Sequence, residues 1–278
     1  MVRIVSDTST LYNTLQAKEA GFDVSPLTVT IAGQTYREFD EISSEDFVAI
    51  IRQGHLPVSS QPAIGEVAAL YERYKNDEIL NIALADGLSG TYRSAVAAAE
   101  LAEDQERITV VNTRTLCGPH RYLVELAVKM VSDGVTVPQI VEKLNEKMDT
   151  AKSFLLPADF DYLRRGGRLS PLVSYVGKAA NLMPVMTQTE DGCRLAVAGV
   201  RRGFDHAVKF IIKQLEKLEV GAGWRIYITH AADPQKANRM ADMLKEVFPA
   251  CSYEIHPLSP AFITQGGPGC VAAQAIKE

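Results

Sequence analysis

Several common signals of a metal protein or a disulfide-bonded protein are missing from this sequence. Its 278 residues include only four cysteines, which are far apart and form no Cys-x-x-Cys pair: Cys117, Cys193, Cys251 and Cys270. The five histidines are scattered along the chain as well. Because zinc sites and disulfide frameworks need closely spaced ligands or paired cysteines, we expect neither a metal site nor a disulfide framework.

The chain also has little excess charge and no long apolar run. Its formal net charge is −5, which predicts no affinity for nucleic acid or for an anionic membrane. The absence of about 18 consecutive apolar residues argues against a helix that spans a bilayer. Residues 1–7 lack the three regions of a signal peptide and predict a first strand with a polar loop. We therefore expect a soluble, cytoplasmic protein.

Short apolar segments typical of strands alternate with amphipathic segments typical of helices through the first half of the chain. Predicted strands cover residues 3–5, 27–31, 79–85 and 108–111, and predicted helices cover residues 44–53, 65–74, 92–102, 122–132 and 137–147. Strands that alternate with helices are typical of a parallel sheet with helices on both faces. The sequence therefore predicts an α/β domain over residues 1–150.

The pattern changes after about residue 150. Residues 185–189 and 194–199 flank an Asp-Gly pair, which is a strong signal for a β-hairpin. The remaining predicted elements are strands 154–156, 226–229 and 252–256, a helical turn at 162–163 and helices 204–218 and 234–247. A hairpin mixed with helices predicts a second, α+β-like domain over residues 151–278.

Two short serine-bearing segments each precede a predicted helix. Residues 59–62 read Ser-Ser-Gln-Pro, and residues 87–91 read Gly-Leu-Ser-Gly-Thr after the predicted strand 79–85. A strand, a Gly-Ser-Gly turn and a helix place N–H groups and a hydroxyl at the carboxyl end of a sheet, where α/β proteins bind ligands. Hydroxyls and amides without an adjacent Lys or Arg suit a small oxyanion such as a carboxylate.

Both segments have simpler interpretations that stay open. Ser89 is also placed to cap the following helix, and Ser60 and Pro62 fit the start of another helix equally well. The segment at 87–91 resembles a nucleophile elbow, Gly-x-Ser-x-Gly, but Thr91 stands where the last glycine belongs. No histidine occurs in a context that marks it as the general base of a hydrolase.

Arginine and glycine are concentrated in three further segments. Residues 163–170 read Leu-Arg-Arg-Gly-Gly-Arg-Leu-Ser, and Arg201 and Arg202 follow the predicted hairpin. Arginines there suit an anionic ligand or a partner's acidic surface, whereas a helix C-terminus with a glycine cap is the alternative. Residues 264–269, Thr-Gln-Gly-Gly-Pro-Gly, predict a turn with positive φ.

Taken in order, these segments resemble the DegV family of bacterial fatty-acid-binding proteins over nearly the whole chain. Residues 4–9 (Ile-Val-Ser-Asp-Thr-Ser) resemble its opening strand and acidic loop, and residues 59–62 are similar to its Thr-Ser-Gln-Pro motif. Residues 87–95 resemble its Leu-Ser-Gly-Thr-Tyr-x-Ser-Ala signature, and residues 160–170 its Leu-x-x-Gly-Gly-Arg segment. Residues 267–269 match its terminal Gly-Pro-Gly. The ordered set is more specific than any single motif.

The resemblance implies a two-domain DegV-like fold, in which a cleft between the domains holds a long-chain fatty acid without a covalent bond. Ser59 and Ser89 would bind the carboxylate, with Ser60, Gly90 and Gln265 beside them. The arginines Arg168, Arg201 and Arg202 would contact the cleft or a partner. The resemblance also implies a carrier that presents the acid to a separate ATP-dependent fatty-acid kinase, which would form an acyl phosphate for lipid metabolism.

The chain departs from the family pattern at two of these positions. Ser59 replaces a threonine and keeps its hydroxyl, whereas Gln265 replaces a histidine and cannot become cationic. Two other functions remain open from the sequence. One is a serine acyl-hydrolase that uses Ser89, and the other is a binding module for a small polar acid.

Overall fold

The computed structural model describes residues 1–171 and 182–278, which form three β-sheets with helices packed around them. The described strands are Val2–Asp7 (β1), Asp23–Ser25 (β2), Thr28–Ile31 (β3), Gln34–Arg37 (β4), Val58–Ser60 (β5), Glu78–Ala83 (β6), Ile108–Asn112 (β7), Lys152–Leu156 (β8), Leu182–Gln188 (β9), Leu195–Arg202 (β10), Trp224–His230 (β11), Ser252–Pro257 (β12) and Val271–Lys277 (β13). The described α-helices are Thr14–Glu19 (α1), Ser44–Arg52 (α2), Ile64–Arg73 (α3), Thr91–Glu100 (α4), Cys117–Ser132 (α5), Val137–Met148 (α6), Phe160–Gly166 (α7), Phe204–Lys217 (α8), Pro234–Val247 (α9) and Pro260–Gly266 (α10).

A four-stranded parallel sheet in the order β2-β1-β6-β7 forms the centre of the N-terminal half. Apart from Glu78 and Asn81, strand β6 is apolar, because both of its faces are covered. Ile79 packs against helices α3 and α4, whereas Leu80 and Ile82 pack against α5 and α6 on the other face. Helices on both faces of a parallel sheet confirm the α/β class predicted for this half.

A six-stranded sheet in the order β10-β9-β8-β13-β11-β12 forms the C-terminal half. The hairpin predicted around the Asp-Gly pair is present as β9 and β10, which pair antiparallel. Helices α8 and α9 cover this sheet with a buried apolar cluster that includes Ile211, Leu215, Met240 and Leu244. Only β11 and β12 pair parallel among the described neighbours, so the predicted α+β character of this half is confirmed.

The sequence analysis missed a third sheet, in which short antiparallel strands follow the order β4-β3-β5. Residues 27–31 form a strand as predicted, but it belongs to this small sheet. Ser59 and Ser60 lie on β5, where Ser59 pairs with Val29, and helix α3 begins only at Ile64. The helix predicted over residues 65–74 is therefore present as α3, while the alternative in which Ser60 caps a helix does not hold, because pairing with a distant strand sets the backbone of residues 58–60.

Two further boundaries differ from the prediction. Helix α5 begins at Cys117 rather than at residue 122, because its first turn (Cys-Gly-Pro-His) is buried and carries no amphipathic pattern. Gln265 and Gly266 end a short helix, α10, that the sequence analysis took for part of a turn. Pro260 after Ser259 is a usual helix start and could have identified α10.

Apolar clusters join the two halves of the chain. One cluster packs Val29 and Phe47 of the first half with Leu258 and Ile263 of the second. Another places Tyr227 of β11 in the core formed by α5 and α6. A domain boundary near residue 150 remains a prediction. Within residues 1–171 and 182–278, we find no helix that is both long and apolar enough to cross a membrane.

Candidate functional site

A cavity of about 300 Å³ with polar and apolar groups in its walls, called the polar cavity below, lies where the three-stranded sheet, the start of α4 and helix α10 meet. The residues of the predicted carboxylate site share its walls although they come from distant parts of the chain: Ser59, Ser60, Ser89, Gly90 and Gln265. Arg168 lines the same cavity. The structure therefore brings these predicted residues together, while their role in binding a ligand stays a prediction.

Ser89 lies in the tight connection between β6 and α4. The N-cap position of α4 is held by Gly90, which has no side chain to cap the helix. The Ser89 hydroxyl lies 2.8 Å from the Thr91 hydroxyl and accepts a longer hydrogen bond, 3.3 Å, from the backbone N–H of Thr91. Ser89 thus supports the first turn of α4 from the residue before its N-cap, and its side chain remains in the wall of the cavity.

The two serine segments are held together by Gln61. Its side chain crosses over Gly90 and donates a hydrogen bond of 2.8 Å from Nε2 to the Ser94 hydroxyl in α4. A Cβ atom at position 90 would lie only 1.8 Å from the Gln61 Oε1 atom. The glycine is therefore needed for this close approach, which fixes Ser59 and Ser60 opposite the start of α4.

Gln265 reaches the cavity from the C-terminal half. Its Nε2 atom donates to the Ser59 hydroxyl at 3.2 Å, while its buried Oε1 atom has no hydrogen-bond partner among the described residues. A Cβ atom at Gly166 would lie 1.9 Å from this Oε1 atom. The glycine pair at the end of α7 thus lets Gln265 pack closely, and Gly167 also ends that helix in the left-handed conformation.

Arg168 supplies the positive charge of the site. Its Nε atom donates to the carbonyl oxygen of Leu88 at 3.0 Å, and its Nη1 atom donates to the carbonyl oxygen of Gly166. Burial lowers the pKa of the Arg168 guanidinium, and no carboxylate pairs with it in the part of the chain that the structure describes. A half-buried cation whose bonds to the described residues go to neutral carbonyls favours an anion in the adjoining cavity.

A second cavity, about 100 Å³ and almost entirely apolar, adjoins the polar one. The two share five lining residues: Leu84, Leu88, Arg168, Phe262 and Gln265. Beyond these residues the walls are formed by side chains such as Leu116, Phe154, Leu155 and Met186. The arrangement therefore has a polar mouth and an apolar interior.

Arg201 and Arg202 lie apart from both cavities. They belong to strand β10 itself rather than to the segment after the hairpin. The Arg201 guanidinium stacks 4.1 Å from the centroid of the Phe210 ring, and its Nη1 atom donates to the carbonyl oxygen of Val200 at 2.7 Å. Their contact with a partner remains a prediction.

No histidine hydrogen-bonds to Ser59 or Ser89 among the residues that the structure describes. The buried His120 instead contacts the hydroxyls of Ser6 and Ser9 and the carbonyl oxygen of Ile82. Burial lowers the pKa of His120, so its imidazole is neutral at physiological pH. This geometry gives the two cavity serines no base of the kind that a serine hydrolase uses.

Glu38 is a buried carboxyl group, near the helix that carries Gln265, that the sequence analysis did not consider. It follows β4, is fully buried and accepts hydrogen bonds from the Thr8 hydroxyl and from the backbone N–H of Ala261 at 2.8 Å. Ala261 lies in the first turn of α10, the helix that carries Gln265. Burial raises the pKa of Glu38 to about 7. Its position depends on three distant segments, and no local pattern around residue 38 signals it.

We expect Glu38 to make stability depend on pH between about 4.5 and about 7. The unfolded chain loses this proton near its ordinary pKa of 4.5, whereas the folded protein keeps it to about 7, so only the folded state holds the proton between these values. The free energy of unfolding should therefore fall by roughly 3 kcal/mol as pH rises through this window. Urea unfolding of the wild type and of Glu38→Gln from pH 4 to pH 8 measures the difference. The same pH dependence in both proteins would contradict this assignment.

The fold and the two cavities define an α/β protein in which polar groups from both halves converge on the entrance to an apolar interior. A model of the DegV family, described as a family of uncharacterised proteins, matches residues 1–278. The chain belongs to the DegV family, which confirms the resemblance seen in its motifs.

Individual relatives match along the whole length of the chain. The DegV domain-containing protein SA1258 of Staphylococcus aureus (strain N315) is 27% identical over 281 residues, which cover 99% of this chain and 98% of the relative. A DegV-family protein of Thermus thermophilus, described with fatty-acid binding, matches with a TM-score of 0.90 and 25% identity over 100% of this chain and 99% of its own. Protein TM841 of Thermotoga maritima, whose structure is described as revealing fatty-acid binding, matches with a TM-score of 0.85 and 26% identity. The match covers 100% of this chain and 99% of that protein.

Proposed function

We propose that this protein binds a long-chain fatty acid without a covalent bond. The observation that carries the proposal is that the polar cavity adjoins an apolar one, with Arg168, Phe262 and Gln265 in the walls of both. An amphipathic acid has the same two parts, a charged head and an apolar chain. The fatty-acid binding described for two similar structures supports this assignment.

The carboxylate would occupy the polar cavity. Burying a carboxylate is costly unless it receives hydrogen bonds, and the hydroxyls of Ser59 and Ser89 can donate two of them. The start of α4 at Gly90 adds the positive end of a helix dipole. The Arg168 guanidinium in the same wall would compensate the negative charge.

The acyl chain would extend from the mouth into the apolar cavity. Each CH₂ group removed from water contributes about 0.8 kcal/mol in transfer terms, so a long chain supplies most of the affinity. A small polar acid would leave the walls around Phe154, Leu155 and Met186 without a partner. The apolar interior thus favours a fatty acid over the small polar acid that the sequence left open.

We also propose that the protein is a carrier with no catalytic activity of its own. The absence of a base beside Ser59 or Ser89 within the described residues supports this role over that of a hydrolase. Its partner would be an ATP-dependent fatty-acid kinase. The carrier would present the acid to this kinase with the carboxylate at the mouth of the cavity. Incubating the loaded protein with such a kinase and ATP should yield an acyl phosphate and ADP. If no acyl phosphate forms, the proposed kinase partner is contradicted, while fatty-acid binding is not.

Equilibrium titration with a fluorescent long-chain fatty acid tests the binding proposal. We expect one saturable site per chain, competition by unlabelled long-chain acids and no competition by acetate. Steady hydrolysis of an acyl ester that is lost in Ser89→Ala would contradict the carrier role. Competition by short acids alone would instead favour the small polar acid.

Gln265→His should introduce a pH dependence of binding. An imidazole becomes cationic as pH falls through about 6.5 and would attract the carboxylate, whereas an amide does not titrate near neutrality. We expect the ratio of the variant's affinity to the wild-type affinity to rise as pH falls from about 8 to about 6. The titration of the acid and of Glu38 affects both proteins alike, so it cancels in this ratio. Gln105→His, at an exposed position, provides the control. An unchanged ratio would show that residue 265 lies away from the head group.

A further inference from the structure

Three polar residues line both the apolar cavity and a second polar pocket. Ser153, Thr187 and Gln188 line this cavity and also line a separate polar pocket of about 160 Å³. No residue lines both that pocket and the cavity that holds Ser59 and Ser89. The apolar cavity therefore lies between the other two, and these three residues stand where it adjoins the distal pocket.

Hydrogen bonds hold each part of this wall. The Ser153 hydroxyl accepts from Gln274 Nε2 at 2.9 Å, and the Thr187 hydroxyl donates to the Ser153 carbonyl oxygen at 2.9 Å. Both bonds lie within the six-stranded sheet. Gln188 differs because its Nε2 atom reaches the N-terminal half and donates to the Arg114 carbonyl oxygen at 3.0 Å.

Gln188 is also bonded within its own hairpin. The same Nε2 atom lies 3.3 Å from the carbonyl oxygen of Gly192, in the turn between β9 and β10. With its amide held at two carbonyls, the side chain spans the gap between the halves of the molecule at the end of the cavity. The distal pocket behind it is lined by charged residues, among them Asp149 and Lys152.

We propose that Gln188 sets the maximum chain length of the bound acid by closing the far end of the apolar cavity. This inference rests on the proposed function and extends it to the choice among long-chain acids. The terminal methyl group of a bound acid would stop against the Gln188 side chain. A longer acid would need the space that this side chain fills.

Shortening the side chain should move the chain-length preference upward. Gln188→Ala removes every side-chain atom beyond Cβ and would connect the apolar cavity with the distal pocket. We expect acids longer than the wild-type optimum to gain affinity by at most about four-fold per added carbon, the factor that corresponds to one buried CH₂ group. Gln188→Phe should act in the opposite direction and favour shorter acids.

Two further variants distinguish closure from a merely structural role. Gln188→Met fills similar space without the hydrogen bonds, so it should keep the wild-type preference if the side chain acts by blocking the cavity. Gln105→Ala replaces an exposed glutamine outside the cavity and should change nothing. Folding of each variant is checked by thermal unfolding before titration.

The measurement is competition by saturated acids of increasing length against a fluorescent fatty acid. A preference that shifts upward in Gln188→Ala, downward in Gln188→Phe and not at all in Gln188→Met supports the inference. An unchanged profile in folded Gln188→Ala and Gln188→Phe proteins would overturn it while leaving fatty-acid binding intact. If the wild type itself binds no acid of any length, the proposed function fails first, and the inference fails with it.

Discussion

Replacing Ser59 and Ser89 together by alanine is expected to weaken the binding of a long-chain fatty acid by at least about 100-fold. A hydrogen bond to a charged group contributes about 1.5 to 3 kcal/mol, and each 1.4 kcal/mol corresponds to a factor of about ten in affinity. The loss of both donors should therefore weaken binding by more than about 100-fold, and Ser89→Ala alone should weaken it by at least about ten-fold. Fluorescence titration of the wild type and of the variants measures the change.

The stability of the ligand-free protein separates this effect from helix capping. Ser89 supports only the first turn of α4, and a lost cap costs about 1 kcal/mol. Ser132→Ala is a matched control, because its exposed hydroxyl donates to the Lys129 carbonyl oxygen far from the cavities. A large loss of stability with unchanged affinity in Ser89→Ala would show that Ser89 is a structural cap rather than a ligand for the carboxylate.

The largest effect on stability is expected from Gly118→Ala. Gly118 lies in the first turn of α5, where its N–H donates to Gln274 Oε1 at 3.1 Å and its Cα faces the fully buried Tyr227. An added Cβ would lie 2.2 Å from the Tyr227 Cγ atom, so the helix and β11 would have to move apart. Overpacking of this kind lowers the free energy of unfolding by about 1 to 3 kcal/mol. We expect the upper end of this range because the clash is with the Cγ atom of a buried ring.

A second helical glycine provides the control for Gly118→Ala. Gly65 lies in α3, and an added Cβ there would meet no other atom within 4 Å. Gly65→Ala should therefore leave the free energy of unfolding unchanged or raise it by up to about 1 kcal/mol. Urea unfolding of both variants measures the contrast, and equal stability of the two would show that α5 and β11 are not as closely packed as described.

Local patterns were sufficient to predict the parts of the site that depend on a short stretch of chain. The apolar run of β6, the Gly-Ser-Gly turn and the alanine-rich helix α4 follow one another directly, so each signal reinforces the next. The hairpin of β9 and β10 was predictable for the same reason, because its turn residues and both strands are adjacent in sequence.

Contacts between segments that are distant in sequence determine the features that the sequence could not predict. The Ser-Ser-Gln-Pro segment suits a helix start as well as a strand, and only its pairing with β3 places Ser59 on an edge strand. Glu38 is buried by three segments that are distant in sequence. The closure at Gln188 likewise depends on Arg114, which lies 74 residues away. Such contacts leave no periodic signal in the neighbouring residues.

The most direct test of the account is to identify what the purified protein carries. Lipid extracted from natively purified protein is analysed by mass spectrometry, alongside the intact mass of the protein itself. We expect a free long-chain fatty acid in near-stoichiometric amount and an unmodified protein mass. An acyl adduct on the protein, or a small polar acid as the only extracted ligand, would contradict the account.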